Sequence, residues 1–351
     1  MRLTIVFMGK RGAGLRFLDI FRTYSQIYLN DVSFIVSRKA SKNLSQIDSK
    51  TKSTFSISST FDLFLLPLIV LHQFWTLVAT TKLRKRHFLF VMPSPSDYFF
   101  ILCLRVLRMP CSFIIHDPST HSGEVWPTSR SVKFRIRLAN KIYSLSKYTQ
   151  EELKKNYAAS SLFLDHPIFP ISTRTDNFAL VQGLKNYFLF IGRIRDYKGV
   201  LDLVNAFDLS NSKCVLVIAG EGDFRKPESE NIILINRWLS DAEIESLIAG
   251  SRAVIFPYRD ASQSGVIPTC ISFGVPMIVS DAGALAEQAR AGQLIGIFEA
   301  GNIESLKEIL IEAEIVTKNR SAKDDSDFQM AQDLSKRSSE KFVRELISSL
   351  L

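Results

Sequence analysis

Cysteine is scarce in this chain. Its 351 residues include four, Cys103, Cys111, Cys214 and Cys270, and no two of them form a CxxC pair. That composition argues against a disulfide-stapled scaffold and against a structural zinc finger, and it fits a reducing compartment. Complete phosphate-loop signatures are lacking too. Gly12-Ala13-Gly14 follows an apolar stretch, but it is neither a full GxGxxG nor a P-loop. No RNP, zinc-finger or helix-turn-helix pattern supports nucleic-acid binding. The opening MRLTIVFMGKRG has too short an apolar run for a secretory signal and reads as a first strand. With 46% hydrophobic and 23% charged residues, wholesale disorder, a collagen-like fibre and a polytopic membrane protein are all excluded.

Charge is unevenly spread. Residues 1–175 hold 25 Lys+Arg against 10 Asp+Glu, and the remaining residues hold 19 against 25, which together give the net +9. A basic half joined to an acidic half points to an anionic partner for the first, such as a membrane surface or a phosphate-bearing lipid; plain solvated charge is the alternative. Residues 61–80 contain 14 apolar residues among 20, followed by Lys82, Arg84, Lys85 and Arg86. A spanning helix needs about 20 mostly apolar residues, and Asp62, Pro67, His72 and Gln73 interrupt this one. A helix packed on the N-terminal sheet and an interfacial helix on anionic lipid both remain open.

Length predicts two domains at roughly 150 residues each. Candidate strands at Leu3–Met8, Val32–Val36, Phe88–Met92, Cys111–Ile115, Tyr187–Ile191, Cys214–Ile218, Ile232–Ile235, Ala253–Phe256 and Met277–Val279 alternate with amphipathic stretches. One such stretch is Asp241–Ile248, capped by Ser240. Continuous apolar strands separated by helices mean parallel sheets, so the fold class is α/β with two doubly wound units. The expected division is an N-terminal Rossmann-like domain at 1–168, a linker at 169–186, a second Rossmann-like domain at 187–325, and a C-terminal helix at 326–351 that crosses back to the first domain.

Two stretches carry the chemistry. In FLFIGRIRDYKGV, Gly192 ends a strand and Arg193 and Lys198 follow, where open α/β sheets bind ligands; a phosphate or pyrophosphate is their natural partner, and a solvated loop is the bland alternative. In FPYRDASQSGVIPTCISFGVPMIVSD, the turn Ser262-Gln263-Ser264-Gly265 leads into a helix that tolerates Pro268 and stops at Gly274 and Pro276. Free N–H groups of Gly265 and Val266 with the Ser264 hydroxyl would form an anion site there. A further loop, Ser280 to Ala284, has Glu287 close behind it.

Taken in order, GRIRDYKG, Ala219-Gly220-Glu221-Gly222, YRDASQSGVIP and SDAGALAE resemble the nucleotide-sugar domain of GT-B glycosyltransferases, nearest to the retaining family 4 enzymes of bacterial exopolysaccharide and lipopolysaccharide synthesis. HDPSTHSGE (His116–Glu124) is similar to a loop of the exopolysaccharide-type members. The resemblance implies two Rossmann-like domains facing across a cleft. Arg193 and Lys198 match the pair that neutralises the donor diphosphate, and Gly192, Gln263, Ser264, Gly265, Val266 and Glu287 match donor-binding positions. Gly12 and Gly14 match a loop that admits a diphosphate or acceptor, and His116 matches a group that reaches the reaction centre. Asp117, His121, Glu124 and Asp260 are secondary candidates on the acceptor side; Glu124 also reads as a surface carboxylate, and His116 as a satisfied loop histidine. No cofactor and no metal are implied.

One departure stands out. Many members carry two Glu eight positions apart, and here Ala261 and Thr269 occupy those places. A subgroup with a Q-S-G-V form resembles this chain in lacking them, and Asp260 and Glu287 are candidate stand-ins. The resemblance implies a metal-independent glycosyltransferase. It would take a nucleotide-diphosphate sugar and a glycan or lipid-linked acceptor, in the cytoplasm and peripheral at the inner face of the plasma membrane. The alternatives are a nucleotide-sugar epimerase or phosphorylase-like enzyme of the same fold, and a non-catalytic GT-B-like protein that binds glycan or scaffolds another transferase.

Overall fold

The computed structural model describes residues 1–10, 12–42, 44, 50–56, 64–81, 86–122, 124, 126–171, 187–318 and 325–351. The chain divides into two compact units. The first comprises Met1–Thr120, Trp126–Asp165 and Ser339–Leu351; the second comprises His121–Val125 and His166–Ser338. The expected linker falls mainly on 172–186, outside the described residues, as do Lys82, Arg84 and Lys85 of the basic patch.

In chain order the first unit contains β1 (Arg2–Phe7), α1 (Ala13–Tyr28), β2 (Asp31–Ser37), α2 (Arg38–Ser41), β3 (Thr51–Thr54), α3 (Leu66–Thr81), β4 (His87–Met92), α4 (Asp97–Val106), β5 (Cys111–Ile115), α5 (Ser129–Leu138), β6 (Lys141–Ser144), α6 (Lys147–Tyr157) and β7 (Leu162–Phe163). Its sheet runs β3-β2-β1-β4-β5-β6-β7, with every pairing parallel. The second unit contains β8 (Tyr187–Ile191), α7 (Val200–Leu209), β9 (Val215–Ala219), β10 (Ile232–Ile235), α8 (Asp241–Gly250), β11 (Ser251–Phe256), α9 (Ile267–Ser272), β12 (Met277–Ser280), α10 (Leu285–Ala289), β13 (Leu294–Phe298) and α11 (Ile303–Val316). Its parallel sheet runs β10-β9-β8-β11-β12-β13. A last helix, α12 (Asp325–Leu350), has residues up to Ser338 in the second unit and the rest in the first.

Both sheets follow from composition. The YFLFI of β8 is buried at all five positions, as a strand covered by helices on both faces must be. In each sheet the strand order reverses once, between β1 and β4 and between β8 and β11, so the loops after those strands diverge and leave a crevice at the carboxyl edge. The nine expected strands are all present. Ser240 caps α8 through a full capping box with Glu243, whose carboxyl is held down at about 2 by the Arg237 hydrogen bond and by Ser240.

The 61–80 segment forms α3 from Leu66. Ile69, Gln73, Thr76 and Leu77 are buried, with the Gln73 amide donating to the Phe55 carbonyl at 3.0 Å. On its other side Leu68, Leu71, Phe74 and Trp75 are exposed. Among the described residues no helix is long and apolar enough to cross a membrane.

Candidate active site

In the first unit, the loops after β1, β4 and β5 meet the switch point. Gly12 precedes α1 at φ +87, with open space where a side chain would stand. Gly14 packs closely: a Cβ there would lie 2.1 Å from the Phe7 ring. His116 follows β5 and is 4% exposed. Its Nε2–H donates to the Val91 carbonyl at 2.8 Å, and its ring meets Phe17 edge-on at 5.3 Å. Burial lowers its pKa, against the opposing pull of the Val91 bond and of Asp117. The Val91 carbonyl thus keeps a proton on Nε2.

The loop after β4 is braced by a buried ion pair. Asp97 accepts from the Ser94 N–H at 2.7 Å and from Arg135 Nη2 at 3.0 Å, and Arg135 lies beneath Tyr98 and Trp126. Burial pushes Asp97 up to about 6 despite the guanidinium.

In the second unit, the loop after β8 is drawn over the end of its own strand. Asp196–Lys198 form one 3-10 turn, closed by Gly199 at φ +63, and a Cβ on Gly199 would lie 1.8 Å from the Pro257 carbonyl. That close approach sets Lys198 against the loop after β11. Its Nζ donates to the Tyr258 hydroxyl at 3.0 Å and stands 3.1 Å from where a Gly192 Cβ would be. The ammonium thus sits at the mouth between β8 and β11, where the strand order reverses. Arg259 lies nearby but is committed to Asp202 by two bonds of 2.6 and 2.5 Å. Among the described residues no carboxylate lies within ion-pair distance of Lys198. Arg193, half exposed, reaches Glu124 Oε1 at 3.2 Å, and Arg195 approaches the same oxygen at 3.8 Å.

His121 and Asp260 come together across 139 residues of sequence. His121 Nδ1 lies 2.9 Å from Asp260 Oδ2, its Nε2 lies 3.5 Å from Ser262 Oγ, and its ring stacks on Tyr197 at 5.2 Å. Both residues therefore stand beside the loop that carries Lys198, as Glu124 does.

The expected anion turn is partly self-satisfied. The Val266 N–H, expected to be free, donates to Ser264 Oγ at 3.3 Å just ahead of the short α9. Gln288 accepts from the Ser264 N–H at 2.9 Å and donates to its carbonyl at 3.0 Å, which holds the turn onto α10. Gly265 remains exposed, Gln263 is half-buried, and Glu287 lies in the first turn of α10. Ala261 and Thr269, at 2% and 3% exposure, are packed into the core. No cluster of three or more His, Cys, Asp or Glu suited to a metal occurs among the described residues.

The loop carrying Gly192, Arg193 and Lys198 lies in a segment with a family match. Residues 185–313 match the family of glycosyl transferases group 1. No curated protein matches the chain. Among solved structures, Anabaena Alr3699/HepE in complex with UDP and glucose aligns over 100% of this chain and 99% of its own, at TM-score 0.72 and 15% identity. The lipopolysaccharide outer core galactosyltransferase WaaB in its apo form covers 100% of both chains at TM-score 0.64 and 14% identity. A UDP-N-acetylglucosamine 2-epimerase described from Listeria monocytogenes covers 99% of this chain and 95% of its own, at TM-score 0.60 and 13% identity. These likenesses establish the GT-B fold.

Proposed function

We propose that the chain is a retaining, metal-independent glycosyltransferase. It moves a sugar from a nucleoside-diphosphate donor to a membrane-associated glycan or lipid-linked acceptor in polysaccharide synthesis. The observation that carries this reading is the Lys198 ammonium held at the β8–β11 switch point, with Arg193 on the same loop and no carboxylate on Lys198 among the described residues. Breaking the bond between the sugar's anomeric carbon and the diphosphate leaves growing negative charge on the departing oxygen. Fixed cations that meet that charge lower the barrier, and a single such group is worth roughly 10²–10³ in rate. The match to group 1 glycosyltransferases over this segment supports the same reaction class, and HepE, which binds UDP and glucose, supports a uridine donor.

The donor belongs to the second unit in this reading. Gly192, Arg193, Lys198, Gln263, Gly265 and Glu287 line its side; His116 and Gly12 are the candidates that the first unit itself offers. The acceptor reading draws support from the first unit's basic balance and from the exposed Leu68, Leu71, Phe74 and Trp75 of α3, which suit an anionic bilayer at the cytoplasmic face. Burial of Ala261 and Thr269 favours one rival, a non-catalytic binding partner, since those places hold no carboxylate for a donor sugar.

Titration calorimetry with UDP, GDP and ADP, without metal and then with Mg²⁺, separates the two. Metal-independent binding of one nucleotide, lost in Arg193→Ala, is expected. A folded protein that binds none of the three would leave the partner reading in place.

A further inference from the structure

Glu124 stands 3.2 Å from Arg193 and 3.8 Å from Arg195, and its side chain is only 17% exposed. Oε1, the oxygen that meets both guanidinium groups, is buried but receives no well-aligned hydrogen bond from either. A carboxylate held by charge without hydrogen bonds is a loosely bound counter-ion. It also has the chemistry of a phosphate oxygen: planar guanidinium groups recognise carboxylate and phosphate alike. Glu124 is fastened from its other side by a turn, in which its N–H donates to the His121 carbonyl at 3.0 Å, and His121 is itself bound to Asp260. The carboxylate is therefore placed on Arg193 by built structure and not by a wandering surface side chain.

We propose that Glu124 is an intramolecular competitor of the donor: it occupies the place on Arg193 that a diphosphate takes and is displaced when the nucleotide binds. This rests on the donor site proposed above. It moves Glu124 from the acceptor side, where sequence alone put it, to the phosphate end of the donor. Its carboxylate lowers the affinity of every ligand that must bring negative charge to Arg193, by the fraction of molecules in which the pair is closed. It leaves ligands without phosphate untouched.

The test is titration of UDP, inorganic pyrophosphate and uridine, without metal, into the wild type and into Glu124→Gln, which keeps the shape and removes the charge. UDP and pyrophosphate should bind the variant about tenfold more tightly, and uridine equally to both proteins. Glu124→Asp, one methylene shorter, should fall between the two and guards against a folding defect in the first variant. Equal or weaker UDP binding by Glu124→Gln would overturn the proposal, because Glu124 would then be supporting Arg193. A gain shared by uridine would overturn it as well, since it would mean general loosening. If pyrophosphate gains but neither protein binds UDP, the competition stands and the donor reading fails. If neither anion binds either protein, both fail.

Discussion

The Lys198 ammonium donates to the Tyr258 hydroxyl at 3.0 Å and lies 4.6 Å from the centre of the same ring. The two residues follow β8 and β11, neighbours in the sheet though separated by α7, β9, β10 and α8 in sequence. Tyr258 is 2% exposed and gives Ser280 Oγ a carbonyl to bond at 2.6 Å, so the ring beneath the ammonium is fixed. A cation fixed in this way needs no reorganisation when charge develops in front of it.

Lys198→Ala should therefore reduce kcat/KM for sugar transfer by about 10²-fold or more while the fold persists. Lys198→Arg should not restore it, because a planar guanidinium cannot occupy the point charge's place over Gly192. Initial rates with a UDP-sugar, beside circular dichroism of each variant, check both statements.

Gly199→Ala should lower stability by more than about 2 kcal/mol, since the left-handed backbone alone costs about 1–2 kcal/mol for a residue with a Cβ. The Cβ would also meet the Pro257 carbonyl at 1.8 Å. Urea unfolding followed by fluorescence measures it. A loss well under 1 kcal/mol would mean that the loops after β8 and β11 can separate without cost.

His87 supplies a pH dependence. Burial, assisted by the Lys141 charge, lowers its pKa to about 4, and its Nε2 pairs with Ser112 Oγ at 2.8 Å. The unfolded chain takes up a proton at about 6.5, whereas the folded chain resists until about 4. Unfolded protein therefore binds more protons in that window, and stability rises with pH across it. The His87 contribution is fully present above about pH 6.5 and lost as pH falls through 4, amounting to roughly 3 kcal/mol at the extremes. Denaturation at pH 7 and pH 4.5 should show a smaller acid loss in His87→Gln than in the wild type.

Most of the strands that sequence made visible are interior ones, such as YFLFI of β8 and CSFII of β5, because burial on both faces demands unbroken apolar runs; β10, apolar at an edge, is the exception. The four that it hid are polar, short or partly exposed. TKST of β3 is polar at an edge, KIYS of β6 is short, β7 is only Leu162–Phe163, and LIGIF of β13 is mostly half-exposed. Arg193 and Lys198 were legible as candidates from Gly192 and their spacing. Their partners were not. Nothing local ties Lys198 to Tyr258, Arg193 to Glu124 or His121 to Asp260: sheet topology brings the first pair together, and His121 and Glu124 meet the others because they fold with the second unit. The free Val266 N–H expected at the anion turn was a local inference, and a local competitor, the Ser264 hydroxyl, overturned it.

Helix α12 bears on how the protein is made. Phe342, Val343, Leu346 and Ile347 are at most 2% exposed, and Phe342 meets Phe17 and Phe21 of α1 at 5.8 and 6.0 Å. The Tyr28 hydroxyl donates to Glu340 at 2.9 Å, and Tyr143 bonds Ser349 at 2.6 Å. The unit translated first is consequently the one completed last. While the ribosome still holds residues 339–351, α1 has the sheet on one side but lacks the cover that Phe342 gives Phe17 and Phe21, and the N-terminal core must wait through synthesis of the entire second unit before it can close fully.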